Sequence, residues 1–501
     1  MIYFSRTLLL LMLIMIALTG CHKKKSGVIW RNDLSLLGSQ SSPRTCDLNQ
    51  DGTLDIIMGA GKNEYQQSNQ GILAFNGKTG ALLWEQQSAD QVYGSATFND
   101  ITNDGIKDIF IGGRSPHFKA LNGKTGEVLW EYQYHLYQND SILKYARYNF
   151  NNSVLVPDQN KDGIEDLLTV NGGNSKADPY SELNRFPGVL MIFDSKTGSI
   201  LAADTMPDGG ESYMSPLFFI EPANNDSLIV FGTGGETIDG HLYLAKLSDL
   251  MNKSLHNAKI IASEQGHGFI APAVLADISN DSYYDIVAIT HGSTAYAIDG
   301  ENLSVLWKQK IKDTECSNSF AVGNFTDDDI PDFFTFVSKG QWPNSTGSLQ
   351  VLLDGKDGSI TYIDSLGCTG FSSPVVYDLN DDGIDEAIIS INEYDCSSGF
   401  TGKSPRDIKS KLISVDFKNH TYQVFDEAPG FKNVFSTPWI GDLDDDGYLD
   451  IIHCQYYHRG DILSFLGMSI KRIDSSIKLT KDVVWGGYMN SKGDGMLPLK
   501  K

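Results

Sequence analysis

The chain has 501 residues, 41% of them hydrophobic and 21% charged, and its 63 acidic against 40 basic side chains give a formal net charge of −23. With that field and no basic patch interleaved with aromatics, nucleic acid is excluded as a partner. The length exceeds what one hydrophobic core usually supports, yet no Pro- or Ser-rich linker divides it, so repetition is the architecture to look for.

At the amino terminus Arg6 precedes an apolar stretch from Leu8 to Leu18, too short to span a bilayer, where about 20 residues are needed. It reads as a secretory leader over residues 1–20. The stretch ends in "LTGC", which resembles a bacterial lipobox; the resemblance implies cleavage before Cys21 and lipidation of that residue. Residues 21–27, "CHKKKSG", then form a basic tether. No Asp follows Cys21, so the expected address is the cell envelope, lipid-anchored in the outer membrane. Residues 28–501 are expected to form a single domain.

The first element of the domain is "DLNQDGTLDIIMG", starting at Asp47. Carboxylates so crowded repel unless a cation compensates them. Asp47, Asn49, Asp51 and Asp55 can point their oxygens into a loop curled at Gly52. An EF-hand would need Glu at the twelfth position, where Met58 stands, and flanking helices. The last acidic ligand instead comes ninth and opens a strand.

The pattern recurs down the chain. The second copy offers Asp100, Thr102, Asp104 and Asp108, and the third Asp158, Asn160, Asp162 and Asp166. Then come Asp277, Ser279, Asp281 and Asp285, followed by Asn324, Thr326, Asp328 and Asp332. The sixth copy has Asp378, Asn380, Asp382 and Glu386, and the seventh Asp442, Asp444, Asp446 and Asp450. Up to seven Ca²⁺ ions are expected, and they would absorb much of the negative charge. A wide gap in the series holds "SPLFFIEPANNDSLIVFGTGG", in which Ile220 to Leu228 reads as a metal-free copy.

Each loop is followed by an apolar strand and then by a hairpin such as "GILAFNGKTGALLWE" or "AIDGENLSVLWK", with alternating arms around an Asn-Gly or Asp-Gly turn. A short arm with Ser-Pro or a near equivalent precedes most loops, as in "SPRTCD" and "SSPVVYD". One unit thus contains four strands in roughly 55 residues, the signature of a propeller blade. The expected fold is an all-β β-propeller of eight four-stranded blades; a degenerate or split repeat would make it seven. "GVIW" at Gly27 and "DVVWGG" at Asp482 compete to complete the last blade.

The Asp-rich loop with its following strand resembles the FG-GAP/VCBS repeats of integrin α-subunit heads and bacterial surface proteins. The "NGKTGxxLW" hairpins are similar to quinoprotein (PQQ-type) propeller repeats, including those of the lipoprotein propeller of the outer-membrane assembly machinery. Both resemblances imply a propeller and neither fixes an activity.

Five cysteines remain besides Cys21. Cys368 and Cys396 lie at the open end of one expected hairpin and are predicted to pair; Cys46 and Cys454 could meet across the ring closure. Trp84, Trp130 and Trp307 recur in phase and read as packing residues between blades, and His267 in "QGHGFIAP" as a packing or hydrogen-bonding loop residue. No HExxH, nucleophile elbow, P-loop or zinc-spaced Cys pair occurs, and no two Cys are adjacent as in many quinone sites, so no quinone and no catalytic residue is expected. The leading reading is a non-catalytic envelope propeller that binds a protein or glycan partner through its loops. A polysaccharide lyase of the rhamnogalacturonan type and a scaffold of outer-membrane assembly stay open.

Overall fold

The computed structural model describes residues 26–178, 180–181, 183–341, 345–368, 370–398, 407–457 and 465–499. The expected leader, Cys21 and most of the tether lie outside them. The described chain forms eight antiparallel sheets arranged as an eight-bladed propeller. In chain order the blades span residues 44–88, 97–131, 149–205, 217–264, 274–310, 314–364, 375–429 and 439–478. Helix among the described residues amounts to Leu247–Met251 and four three-residue 3₁₀ turns.

The burial pattern follows from each strand's place in its blade. In blade 1 the second strand, Asp55–Gly59, is buried at every position, whereas the outer strand, Leu82–Ser88, is mostly exposed and buries Trp84 and Ser88. A strand covered on both faces tolerates an unbroken apolar run; an outer strand packs on one side only. In blades 1 to 7 the pairing of third and outer strands slips by one residue, for instance between Ala74 and Phe75 and between Ala120 and Leu121. Such bulges add right-handed twist.

The ring closes with the chain's first described strand. Gly27–Ser35 pairs antiparallel with Gly467–Lys478, Gly27 opposite Asp474 and Ser35 opposite Gly467, and so supplies the outer strand of blade 8. Of the two competing segments "GVIW" takes this place, and "DVVWGG" does not.

Indole clamps join one blade to the next. The Nε1–H of Trp30 donates to Gly77 O at 2.7 Å, that of Trp84 to Gly123 O at 2.8 Å, that of Trp130 to Ser195 O at 2.7 Å and that of Trp307 to Gly355 O at 2.8 Å. Each ring lies over a glycine of the neighbouring turn, Gly80, Gly126, Gly198 or Gly358, where an added Cβ would stand 2.6 Å from the indole. The Trp residues therefore pack blade to blade, and Trp30 extends the series across the closure. Nearer the axis, hydroxyls at the entry of the inner strands continue the linkage. Ser319 N–H donates to Ser373 Oγ, Ser373 N–H to Thr437 Oγ1 and Thr437 N–H to Ser42 Oγ, at 3.1, 3.0 and 2.9 Å. That is the role of the short Ser-Pro arms.

Blade 4 has a plain turn, Glu221 to Asp226, between Leu217–Ile220 and Ser227–Gly232, where other blades carry Asp-rich loops. Cys368 and Cys396 form a disulfide with Cα atoms 5.2 Å apart. Cys46, Cys316 and Cys454 are free, so no bridge crosses the closure. No helix among the described residues is long and apolar enough to cross a membrane.

Candidate metal loops and a plugged channel

All seven Asp-rich loops join the first and second strands of their blades and so lie on one face of the ring. Six of them share one backbone. The fourth residue (Gln50, Asn103, Lys161, Asn280, Asp381 or Asp445) and the sixth (Gly52, Gly105, Gly163, Ser282, Gly383 or Gly447) have positive φ. This curl turns amides inward, where the first-position carboxylate collects them. Asp47, Asp100, Asp158, Asp277, Asp378 and Asp442 each accept the N–H of the sixth residue at 2.8–3.0 Å. Ser282 fills the glycine position with φ 71°. The fifth-position carboxylate accepts the seventh residue's N–H, as Asp51 does from Thr53 at 2.9 Å and Asp162 from Ile164 at 3.0 Å.

The ninth-position carboxylate is the buried member. Asp55, Asp108, Asp285 and Asp332 are 0% exposed, and Asp166, Glu386 and Asp450 no more than 3%. Each accepts an N–H from its own loop, and Asp55, Asp108, Asp285 and Asp332 also accept one from the hairpin turn of the same blade, for example Gly77 N–H at 3.0 Å and Gly355 N–H at 3.1 Å. It thereby ties loop to hairpin. Burial pushes the carboxyls of Asp55, Asp166 and Asp332 up to about 6 and that of Glu386 to about 8, against the N–H bonds that pull them down. The exposed members shift the other way: N–H bonds lower Asp51, Asp158 and Asp382. A buried carboxylate beside two or three others is a group that a divalent cation would stabilise in its charged form.

Two loops depart from the pattern. In blade 6 the first-position Asn324 turns to the next blade: its side-chain amide donates to Gly383 O at 2.8 Å and its backbone N–H to Asp385 Oδ2 at 2.8 Å. Neither Asp327 nor Asp329 has positive φ, so this loop lacks the curl. In blade 8 the oxygens of Asp442, Asp444 and Asp450 lie within 4.8 Å of one another, the closest such set among the described residues. A cation is already there. Arg472, 3% exposed, places Nε and Nη2 each 2.9 Å from the two oxygens of Asp450 and Nη2 2.6 Å from Asp444.

The segment after blade 8 was legible only as a spare hairpin arm. It enters the central channel from the loop face. Tyr377 Oη accepts Thr480 N–H at 2.8 Å, and Lys481 Nζ lies 2.8 Å from Asp385. Deeper in, Val376 N–H donates to Trp485 O and Ile440 N–H to Gly486 O, at 2.9 and 2.7 Å. The chain then wraps the buried guanidinium of Arg44, which donates to the carbonyls of Tyr488 and Asn490 and lies against Gly493, where a Cβ would come within 2.6 Å. It returns along blade 5, where Leu275 N–H donates to Gly495 O at 2.9 Å and Leu497 N–H to Leu275 O at 2.8 Å. Trp485 and Met489 are 2% and 1% exposed. Two clefts of about 630 and 320 Å³ flank this plug on the loop face.

A ring of eight antiparallel blades, in two of which the inner strand is split into two segments, around a filled axis defines the class: a β-propeller. The FAM234A/B β-propeller model matches residues 63–374, more than half of the chain, and the chain belongs to that family. Comparison with curated proteins finds no match. Among solved structures the chain is similar to a europium-containing methanol dehydrogenase, with TM-score 0.55 and 10% identity over 90% of this chain and 93% of the other. It is similar also to quinohemoprotein alcohol dehydrogenase ADHIIG from Pseudomonas putida HK5, with TM-score 0.54 and 10% identity over 91% and 77%. The enzyme of the same type from Comamonas testosteroni gives TM-score 0.50 and 12% identity over 91% and 77%. At such identities these likenesses concern the fold alone.

Proposed function

We propose that the chain is a non-catalytic, calcium-stabilised propeller, held in the cell envelope by a lipid on Cys21, that binds a protein or glycan partner through its loops. The observation that carries this reading is the plug. In a propeller the axis is where side chains from several blades converge on a small ligand, and here residues 479–499 fill it from the loop face. Binding then falls to the loop surfaces, which suit a macromolecule. Calcium belongs to the loops of blades 1, 2, 3, 5 and 7, which combine the inward curl with a buried ninth carboxylate; blade 6 lacks the curl and blade 8 has Arg472. The ions hold loop to hairpin and need not touch the partner.

The test is a side-by-side assay of the purified mature chain in Ca²⁺. Binding to an immobilised envelope glycan or protein, with no turnover of pectic polysaccharides or of alcohols supplied with quinone, is the expected result. Release of unsaturated sugar ends from a pectic chain overturns it in favour of a lyase. Replacing Cys21→Ser should move the protein from the membrane to the soluble fraction; an unchanged membrane fraction removes the lipid anchor from the reading.

A further inference from the structure

The face opposite the Asp-rich loops is built from the blade-to-blade connections and the turns between second and third strands. Three segments on this face bring together His267 (between blades 4 and 5), His291 (in the turn of blade 5) and Glu315 (in Thr314–Glu315, the entry strand of blade 6). Their backbones are fixed to one another: His291 N–H donates to Gly268 O at 2.9 Å, and His291 O accepts Cys316 N–H at 2.8 Å. The two imidazole centroids are 5.8 Å apart. Gly292 makes room, since a Cβ there would stand 2.6 Å from the His267 ring.

The ring nitrogens are set by their partners. His267 Nδ1 is 2.8 Å from Glu236 O, and a carbonyl only accepts, so Nδ1 is the donor there and Nε2 is the nitrogen left to meet a ligand. Metal-binding imidazoles are oriented in this way. His291 Nδ1 is 3.3 Å from Ser317 Oγ, and its Nε2 is 3.6 Å from Glu315 Oε2. His291 and Glu315 are buried, 3% and 8% exposed, whereas His267 is partly buried.

We propose that His267, His291 and Glu315 form a site for one divalent metal ion of the zinc type, separate from the oxygen-only loops on the other face. Two imidazole nitrogens and a carboxylate suit Zn²⁺, whereas Ca²⁺ takes oxygen ligands throughout. With metal–nitrogen bonds of ~2.0–2.1 Å, two rings sharing an ion stand with centroids about 5–6 Å apart. Closing the site takes a turn of the partly buried His267 ring that keeps Nδ1 on Glu236 O, and a few tenths of an ångström between His291 and Glu315. Three protein ligands leave a further position open to solvent, for water or for a partner's donor group.

The experiment titrates the metal-stripped full chain with Co²⁺ while excess Ca²⁺ occupies the Asp-rich loops. The expected result is one equivalent of Co²⁺ with the intense visible absorption of a low-coordinate nitrogen-ligated ion, displaced by Zn²⁺. His267→Gln and His291→Gln should abolish that band, and Glu315→Gln should weaken Co²⁺ binding by about tenfold or more. His267 is less buried than His291, so its variant keeps the test decisive if His291→Gln fails to fold. Absence of the band, or a band unchanged in His267→Gln, overturns the site.

Discussion

At the level of single residues, the glycine under each indole shows how much one hydrogen atom decides. Gly126 has φ 74° and carries Trp84 on the side where a Cβ would point, 2.6 Å from the ring. Left-handed backbone costs an L-residue roughly 1–2 kcal/mol, and the clash adds to that. Gly126→Ala should therefore destabilise the protein by about 2–4 kcal/mol in a denaturant titration, whereas Gly52→Ala, with open space around its Cβ, should cost only the backbone part. Equal losses at the two positions would mean that the indole contact contributes nothing. His117 is a second residue with a measurable signature. It is 4% exposed, its Nε2 has no partner, and burial, helped by Lys119, lowers its pKa to about 3; Glu131, 3.6 Å from Nδ1 and itself 40% exposed, does not offset this. The folded form thus keeps His117 neutral while the unfolded chain takes a proton below about 6.5, so stability falls as pH drops from about 6.5 towards 3. Between pH 7 and pH 5 the wild type should lose about 2 kcal/mol more than His117→Asn. Parallel pH profiles would show that His117 is protonated in the fold.

Secondary-structure elements explain what could be read in advance. The Asp-rich loops, hairpins and indoles were legible because each repeats in phase, and a pattern that recurs every blade needs no knowledge of distant contacts. The pair Cys368 and Cys396 was legible because the two lie opposite each other across local strands. Arg472 was not: in "IKRID" it looks like any charged residue of an alternating strand, and only the register that sets it opposite Ile452 lets its side chain reach diagonally to Asp450. His267, His291 and Glu315 were invisible as a set for the same reason, since each comes from a different segment. Arg472 leads to a prediction for its loop. Removing it as Arg472→Met leaves Asp444 and the buried Asp450 uncompensated, which should cost about 3–5 kcal/mol in chelator. Added Ca²⁺ should then recover part of the loss, because the emptied loop has the curl and ligands of its five counterparts. Thermal melts of both proteins, with chelator and with millimolar Ca²⁺, read this as a larger calcium-dependent rise in Tm for the variant. An identical rise in both would show that Ca²⁺ does not enter where the guanidinium was.

For the whole molecule, the question is how a ring of repeats is kept from opening. Gly27–Ser35 closes it from the outside by pairing with Gly467–Lys478, and the plug closes it from the inside by bonding to inner strands of blades 1, 5, 7 and 8. Nothing local announced the plug, because its partners lie as far as 446 residues away in sequence. Arg44 holds its deepest turn, and burial lowers the guanidinium pKa to about 10, offset only in part by Tyr488 and Asp494. The carbonyls of Tyr488 and Asn490 accept its hydrogen bonds. Hydrogen bonds to a charged group contribute about 1.5–3 kcal/mol each, so Arg44→Met should lower stability by a few kcal/mol, and ending the chain after Lys478 should lower it further. If Arg44 acts by holding the plug, the two changes remove one interaction, and the double variant should melt close to the truncated chain alone. The truncated chain should also be cleaved faster by protease while keeping its β-sheet circular dichroism. Full additivity of the two losses would show that Arg44 stabilises blade 1 by some other contact and that the plug is held without it.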